Sequence, residues 1–191
     1  SREWGVDPRT LVRQRPNAER LRKARAAAGT VMDTAAPFLD VMNESLAEKP
    51  HLIALADADG LILRVLTGPG LPLDALEAAN LVEGASWHER DIGCNGIGTC
   101  LATGEPVLLV GPEHFQEAYV GWTCIGVPIR DGRGQVVGAI DLSVPNEGAH
   151  AYSWGWLLSV AKGIEAALQR PMVGGRAEAE LEMAGMDAPL Q

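Results

Sequence analysis

Residues 83–107 read EGASWHERDIGCNGIGTCLATGEPV, and this stretch decides how the rest of the chain is organised. It holds five glycines and two of the three cysteines, between runs with strand character. Glycine is favoured where the backbone needs a positive φ or passes close to another group. The stretch therefore predicts a shaped loop over a cavity. Within it, Asn95 can cap a helix over residues 96–103, which Gly104 would end.

Short apolar runs around this stretch predict an antiparallel sheet. Two pairs of runs flank turns with glycine where a tight hairpin needs it: residues 51–57 with 61–66, and residues 123–130 with 135–144. Residues 106–110 predict one more strand, residues 72–81 a short helix, and residues 111–119 a short helix or loop. The predicted fold class is α+β, with a central antiparallel sheet of five to six strands flanked by helices.

Long helices are predicted at both ends of the chain. Apolar residues recur at steps of three and four from residue 17 for about 30 residues, which predicts an amphipathic helix. At about 1.5 Å per residue, a helix of that many residues is longer than a small domain can cover. The stripe is Leu21, Ala24, Ala28, Val31, Ala35, Phe38 or Leu39, Met42 and Leu46. Because Pro37 removes a backbone donor, we expect a kink or a break near Asp33.

The last predicted helix covers residues 151–170 and has its own apolar stripe. Its members are Trp154, Leu157, Ala161, Ile164 and Leu168. Two uncovered stripes on one monomer would expose more apolar surface than soluble monomers usually tolerate. We therefore expect a parallel homodimer built on the terminal helices.

Composition and length predict one globular domain. We assign residues 1–16 to a polar extension, 17–170 to the domain and 171–191 to a flexible tail or linker. The chain contains no run of about 18 apolar residues and no export signal, which predicts a cytoplasmic protein without membrane contact. Three cysteines give neither an even disulfide set nor a CxxC pair, which favours reduced thiols.

Charge is unevenly spread along the chain. The net charge is −9, but residues 1–25 carry 8 Lys and Arg against 3 Asp and Glu. Such a basic arm can bind nucleic acid. This one lacks interleaved aromatic residues and a recognition helix, so we interpret it as a solvated helix face without direct nucleic-acid contact.

The cysteines allow two kinds of chemistry. Cys94, Cys100 and Cys124 together with His114 could form a metal or redox set. No CxxC or HxxxH spacing occurs among them, so we expect no metal and no cofactor, with the thiols packing as small apolar groups. The glycines of residues 93–98 could cradle a phosphate, but no lysine lies nearby, and a structural role is favoured.

Aromatic residues are concentrated beside the glycine-rich stretch. Four of the nine aromatic residues fall between residues 87 and 122. Aromatic walls with a few polar groups are typical of small-molecule pockets, although Trp87 and Trp122 could equally be plain core. We predict a cavity between the sheet and residues 83–119, lined by Trp87, Ile97, Phe115, Tyr119, Trp122 and Cys124.

Several motifs in combination resemble a GAF domain. They are Trp87, GCNGIGT at 93–99, ATG at 102–104, PV at 106–107, GPEHF at 111–115, PI at 128–129, DG at 131–132 and residues 138–143. They are similar to the sensor domain of sigma-54-dependent bacterial activators of the acetoin and dihydroxyacetone type, and of related sensor histidine kinases. WGVDP at 4–8 resembles the segment that precedes this domain. The resemblance covers about residues 2–170.

The resemblance implies a non-enzymatic sensor domain that binds a small metabolite or a partner protein and signals through its terminal helices. Those activators continue into an ATPase with a GxxxxGK[ST] loop, which this chain lacks, and kinase sequences are also missing. A methionine sulfoxide reductase with the GAF fold has a cysteine where Ile97 stands here, so the resemblance to that enzyme is weak. Two alternatives stay open: a redox sensor using Cys94, Cys100 or Cys124, and a dimerisation module without a ligand.

Overall fold

The computed structural model describes residues 4–71, 73–148 and 150–170, so the predicted tail of residues 171–191 lies outside the described part. The fold is α+β, with a five-stranded antiparallel sheet between helices, as predicted. The helices are α1 (Ala18–Ala27), α2 (Gly29–Ser45), α3 (Leu73–Ala78), α4 (Glu89–Ile92), α5 (Gly96–Thr103) and α6 (Ser153–Leu168). The strands are β1 (Leu52–Asp57), β2 (Ile62–Thr67), β3 (Val107–Val110), β4 (Trp122–Arg130) and β5 (Val136–Pro145).

The strands lie in the order β2-β1-β5-β4-β3, and each neighbouring pair is antiparallel. Both predicted hairpins are present, as β1–β2 and β4–β5. Gly60 and Gly134 end the two turns with φ of 78° and 79°, a conformation that glycine adopts without steric cost. Asp57 and Asp131 begin the turns and accept amide hydrogen bonds within them.

Helices α2 and α6 cover one face of the sheet. Alternate strand residues point to this face, and they form an apolar core with the two helices. The buried residues of this core include Leu39, Met42, Ile53, Leu55, Ile125, Val127, Ile129, Ile140, Leu142, Leu157 and Ile164. We call this side of the molecule the apolar face.

Of the expected kink or break near Asp33, the break is wrong. Helix α2 continues through Pro37, and the break lies at Ala28, where φ is −93° and ψ is 13°. Gly29 follows the break, and glycine is a poor helix former. Ala35 and Leu39 on either side of Pro37 are both buried, so packing against the sheet holds the helix across the missing hydrogen bond.

The single chain covers both apolar stripes itself. Leu39 and Ile164, which represent the two stripes, are 1% and 0% exposed within the single chain. The premise that one domain is too small to bury them is therefore wrong, because the break at Ala28 shortens the helix and the sheet covers α2 and α6. The large apolar side chains that stay exposed on these helices and at their edge include Val41 and Tyr152.

The other face of the sheet is covered by α3, α4, α5 and the glycine-rich loop. Helix α5 lies directly on the strands: a Cβ added to Gly126 of β4 would overlap the carbonyl oxygen of Gly96. The predicted caps of α5 are confirmed, since Asn95 Oδ1 accepts from the Gly98 amide and Gly104 has a φ of 69°. We call this side of the molecule the α5 face.

The described part of the predicted N-terminal extension packs against the α5 face. The Gln14 amide donates to Asn80 Oδ1 at 2.9 Å, and the Ser86 amide donates to Gln14 Oε1 at 2.6 Å. The Glu117 amide donates to the Pro8 carbonyl at 2.9 Å. These contacts attach the segment to the start of the glycine-rich stretch and to the loop that follows β3.

Candidate functional site

Trp87 and Tyr119 form the aromatic centre of the α5 face. Their ring centroids lie 5.1 Å apart at an interplanar angle of 34°, and both side chains are buried. Trp87 Nε1 donates to the Asn80 carbonyl at 2.7 Å, and the Tyr119 hydroxyl donates to the Ala79 carbonyl at 2.9 Å. Each ring therefore keeps its polar atom satisfied while its body packs in the core.

Asn95 connects this aromatic centre to α5. Its Nδ2 donates to the carbonyls of Trp87 and Gly93 at 3.0 and 2.8 Å, while its Oδ1 accepts from the Gly98 amide at 2.7 Å. The side chain is fully buried. One residue thus both caps the helix and ties it to the loop before it.

A polar cluster of Cys124, Ser143 and Asp141 lies beneath the first turn of α5. The Ser143 hydroxyl is 2.5 Å from Asp141 Oδ2 and 3.0 Å from Cys124 Sγ. Since a hydroxyl has one hydrogen and two lone pairs, it can donate to the carboxylate and accept from the thiol. Asp141 Oδ1 has no hydrogen-bond partner among the described residues and faces Gly96.

Asp141 was not predicted as a site residue from the sequence. It is 2% exposed, and burial raises the pKa of its carboxyl to about 7, an effect that the Ser143 hydrogen bond only partly opposes. The signal in the sequence was a single carboxylate inside the apolar run of residues 136–144. A buried carboxylate of this kind is rarely found without a partner.

Two of the three cysteines are buried free thiols. Burial, with the nearby Asp141 carboxylate as the second cause, raises the pKa of both Cys100 and Cys124 above the usual range. Because the thiolate is the nucleophile, such thiols react slowly with oxidants at neutral pH. Cys94 is partly exposed at the start of α5, with Thr99 Oγ1 3.4 Å from its sulfur.

Phe115 and Trp122, the other two predicted aromatic residues, lie at the edges of the site. Phe115 packs against Gly93, where a Cβ would overlap its ring. Trp122 opens β4 opposite Pro145 and is partly exposed. The structure thus brings Trp87, Ile97 and Tyr119 into one buried cluster, and it places Cys124 beneath α5.

His114 and Gln116 bring two further unpartnered acceptors to this side. His114 Nδ1 donates to the Gly111 carbonyl at 3.0 Å, so Nε2 is the acceptor of the neutral ring, and it has no described partner. Burial lowers the pKa of this imidazole. Gln116 Nε2 donates to the Asp7 carbonyl at 3.0 Å, while its buried Oε1 has no described partner.

A wide cleft lies on the apolar face, on the opposite side of the sheet from the predicted cavity. It has a volume of about 1290 Å3 and opens between the end of α2 and the start of α6, over Leu142 and Val144. Lys49 Nζ lies 3.2 Å from His150 Nε2 at its rim. None of the six predicted ligand-binding residues lines this cleft, and the predicted cavity beneath the glycine-rich loop stays a prediction.

Two kinds of feature are missing from the described parts of the chain. Within residues 4–71, 73–148 and 150–170, no group of three or more His, Cys, Asp and Glu side chains could hold a metal ion. No helix in those same ranges is long and apolar enough to cross a bilayer.

The fold and the covered glycine-rich loop define a GAF-like domain. A chain in the solved structure of the Escherichia coli DhaR(N)–DhaL complex has a similar fold, with a TM-score of 0.78 and 19% identity. The match covers 94% of this chain and 62% of that one. At this identity the likeness concerns the fold alone. It confirms the predicted GAF-like architecture.

The chain belongs to the family described as MimR, N-terminal domain, whose model matches residues 10–166. It is 36% identical over 152 residues to the acetoin dehydrogenase operon transcriptional activator AcoR of Bacillus subtilis, covering 80% of this chain and 24% of that protein. It is 37% identical over 114 residues to the propane 2-monooxygenase operon transcriptional activator MimR of Mycolicibacterium smegmatis, covering 59% of this chain and 20% of that protein.

These relatives establish the class of the domain. It is a regulatory sensor domain of transcriptional activators and not an enzyme. The chain spans about a quarter of the length of the relatives that it matches.

Proposed function

We propose that this domain senses a small molecule bound on the α5 face, next to Asp141, Ser143 and Cys124. The observation that carries the proposal is the Asp141 Oδ1 atom, which is buried without a described partner. Buried polar atoms are nearly always hydrogen-bonded. An oxygen of this kind, on the same face of the sheet as the aromatic pair Trp87–Tyr119, suits the polar anchor of a mostly apolar ligand site.

The effect of ligand binding at this site would be transmitted to the terminal helices through β5. Asp141 and Ser143 point toward α5, whereas Leu142 between them packs in the core with α2 and α6. A ligand that moves α5 relative to the strand therefore acts on the same strand that supports the opposite helices. Shifts between two packings of this kind are a common way for domains to transmit binding.

A partner protein is the second form of this proposal. The E. coli structure with the same fold is a complex of DhaR(N) with DhaL. In this chain the cleft on the apolar face offers an aromatic surface for a protein contact, since it is lined by Tyr152, Trp154 and Trp156.

The homodimer remains a proposal that now rests on different residues. Leu39 and Ile164 cannot form its interface, because the chain buries them itself. Val41 and Tyr152 are 61% and 69% exposed and would be the apolar contacts of a dimer along α2 and the start of α6. If light scattering gives twice the chain mass and Val41→Glu restores a monomer, the dimer is supported; a monomeric wild-type chain would exclude it.

The redox alternative has less support in the geometry. Cys100 and Cys124 are both buried, and their raised pKa values keep both sulfurs protonated. Cys94 is the more accessible thiol. A reversible disulfide between Cys94 and Cys100 under mild oxidant would favour this alternative.

Native mass spectrometry of the purified chain tests the sensing proposal. We expect a bound small molecule that is lost on denaturation, or a mass adduct and a higher melting temperature when acetoin, chosen from the name of the Bacillus relative, is added as a probe. Ser143→Ala should abolish the adduct, because it removes the donor that orients Asp141. Ser159→Ala, an exposed serine of α6, is the matched control and should keep it.

Two results would contradict the proposal. One is a wild-type chain that carries no adduct and shows no thermal shift with the probe. The other is an adduct that survives Ser143→Ala and Trp87→Phe alike, since the ligand would then bind elsewhere.

A further inference from the structure

Asp141 stands at the contact between the sheet and α5. Its Oδ1 lies against Gly96, in the first turn of the helix, so closely that a Cβ there would overlap it. On β4, Gly126 leaves room for the Gly96 carbonyl in the same way. The helix therefore packs on this carboxyl with no side chain and no hydrogen bond between them.

The groups that face Asp141 do little to stabilise a negative charge. Ser143 on its own strand donates one hydrogen bond, while Cys124 on β4 and Cys100 on α5 supply thiols. Ala54 is its register partner on β1. Among the described residues, Asp141 forms no ion pair with a lysine, arginine or histidine.

We infer that Asp141 links proton binding to the position of α5: the helix stays packed on the sheet while the carboxyl is neutral, and it separates from the sheet more readily once the carboxyl is charged. A buried charge without a cation is unfavourable, and water can reach it only if the helix moves. The inference rests on the proposed sensing role, because the same movement would open the ligand site.

The pH range follows from the two states of the carboxyl. In the packed state, burial raises the pKa of Asp141 to about 7, while in the open state it would have an ordinary value of about 3.9. The packed state therefore holds the proton more tightly, and packing is most favourable below about pH 4. The ratio of open to packed molecules rises roughly 50-fold from pH 5 to pH 7 and levels off above pH 7.

Hydrogen exchange of the α5 amides measures this ratio directly. Exchange of the whole chain would be followed from pH 5 to pH 8, and each rate divided by the intrinsic rate at that pH. We expect protection of α5 to fall roughly 50-fold from pH 5 to pH 7 in the wild type and to stay constant in Asp141→Asn. Asp33→Asn, an exposed carboxylate of α2, should behave as wild type. A constant wild-type protection, or an unchanged slope in Asp141→Asn, would overturn the inference.

A second measurement covers the case in which Asp141→Asn does not fold. Carbon-13 NMR of the wild-type Asp141 carboxyl should titrate with a midpoint near 7, and Ser143→Ala should raise the midpoint because the charged form loses its donor. A midpoint below about 5 would overturn the inference.

Hydrogen exchange tests the proton link and native mass spectrometry tests the ligand site, so the two can fail separately. If α5 protection does not change with pH but the native adduct persists, the proton link is wrong and the proposed function stands. If protection changes with pH but no adduct is found, the sensing role is wrong while the proton link is retained.

Discussion

The two faces of the sheet are built in different ways. On the apolar face, α2 and α6 cover aliphatic side chains. The buried carboxylate of Glu165 accepts from the Arg130 amide at 3.0 Å through one oxygen and from Lys162 Nζ at 2.6 Å through the other. On the α5 face, the strands present Cys124, Asp141 and Ser143, and the helix approaches through glycine. The buried carboxylate of Asp141 keeps one oxygen without a described partner.

This difference separates stability from sensing. Close apolar packing contributes stability and tolerates little movement, whereas an imperfectly satisfied polar contact can be completed by a ligand or by a proton. We therefore expect substitutions on the apolar face to change the free energy of unfolding and leave ligand retention intact. Substitutions on the α5 face should change ligand retention with smaller effects on stability.

The largest effect is expected from Leu39→Ala on the apolar face. Leu39 is 1% exposed, and its truncation should lower the free energy of unfolding by about 2–5 kcal/mol. Urea denaturation gives the value, and Val12→Ala, at a position that is 74% exposed, should change it by less than about 0.5 kcal/mol. An equal effect at both positions would show that this face is not the main core.

The next effect is expected from Gly126→Ala beneath α5. The new methyl would overlap the backbone of Gly96, which cannot rotate away, so we expect a loss of about 1–3 kcal/mol. Gly163→Ala is the control on the apolar face, because the three atoms nearest to its methyl all belong to the Phe38 ring, which can move. Chemical denaturation of both variants checks the ranking, and a more harmful Gly163→Ala would reverse it.

A smaller effect is expected from Asn95→Ala. It removes the cap of α5 and two hydrogen bonds to the loop, which should cost about 1–2 kcal/mol and raise hydrogen exchange in α5 first. Asn17→Ala removes the cap of α1, whose acceptor is exposed, and should cost about 0.5 kcal/mol. Similar costs at the two caps would mean that α5 is not tied to the loop.

The last prediction concerns the order in which the three thiols react with a reagent. It involves no substitution and therefore no change in stability. In native protein, Cys94 should react with a disulfide reagent before Cys100 and Cys124, because the latter two are buried and their pKa values are raised. Mass spectrometry of timed samples gives the order. Early modification of Cys124 would contradict the closed α5 face and support redox sensing.

Local signals in the sequence predicted most of the fold. Both hairpins follow from an aspartate and a glycine at fixed offsets, and the α5 helix follows from Asn95 and Gly104. The course of α2 could not be read locally, since Pro37 is tolerated only because distant strands bury Ala35 and Leu39. Tertiary packing of this kind overrides local preference.

The site was only partly predictable for a related reason. Aromatic and glycine clustering predicted that Trp87, Ile97 and Tyr119 lie together, and the structure places them in one buried cluster. Asp141 was missed because β5 is buried on both faces, so its pattern does not tell which residues meet α5. The lack of a partner for its oxygen depends on the packing of β4, β5 and α5 together.

Electron density between α5 and β5, in crystals of protein purified without added ligand or soaked with the acetoin probe, tests the central claim most directly. We expect a bound small molecule with a polar atom within about 3 Å of Asp141 Oδ1 and in contact with Trp87 or Tyr119. An ordered water alone at Asp141 Oδ1 in both crystals, with these side chains packed as in the unliganded chain, would contradict the assignment of this face as the sensing site.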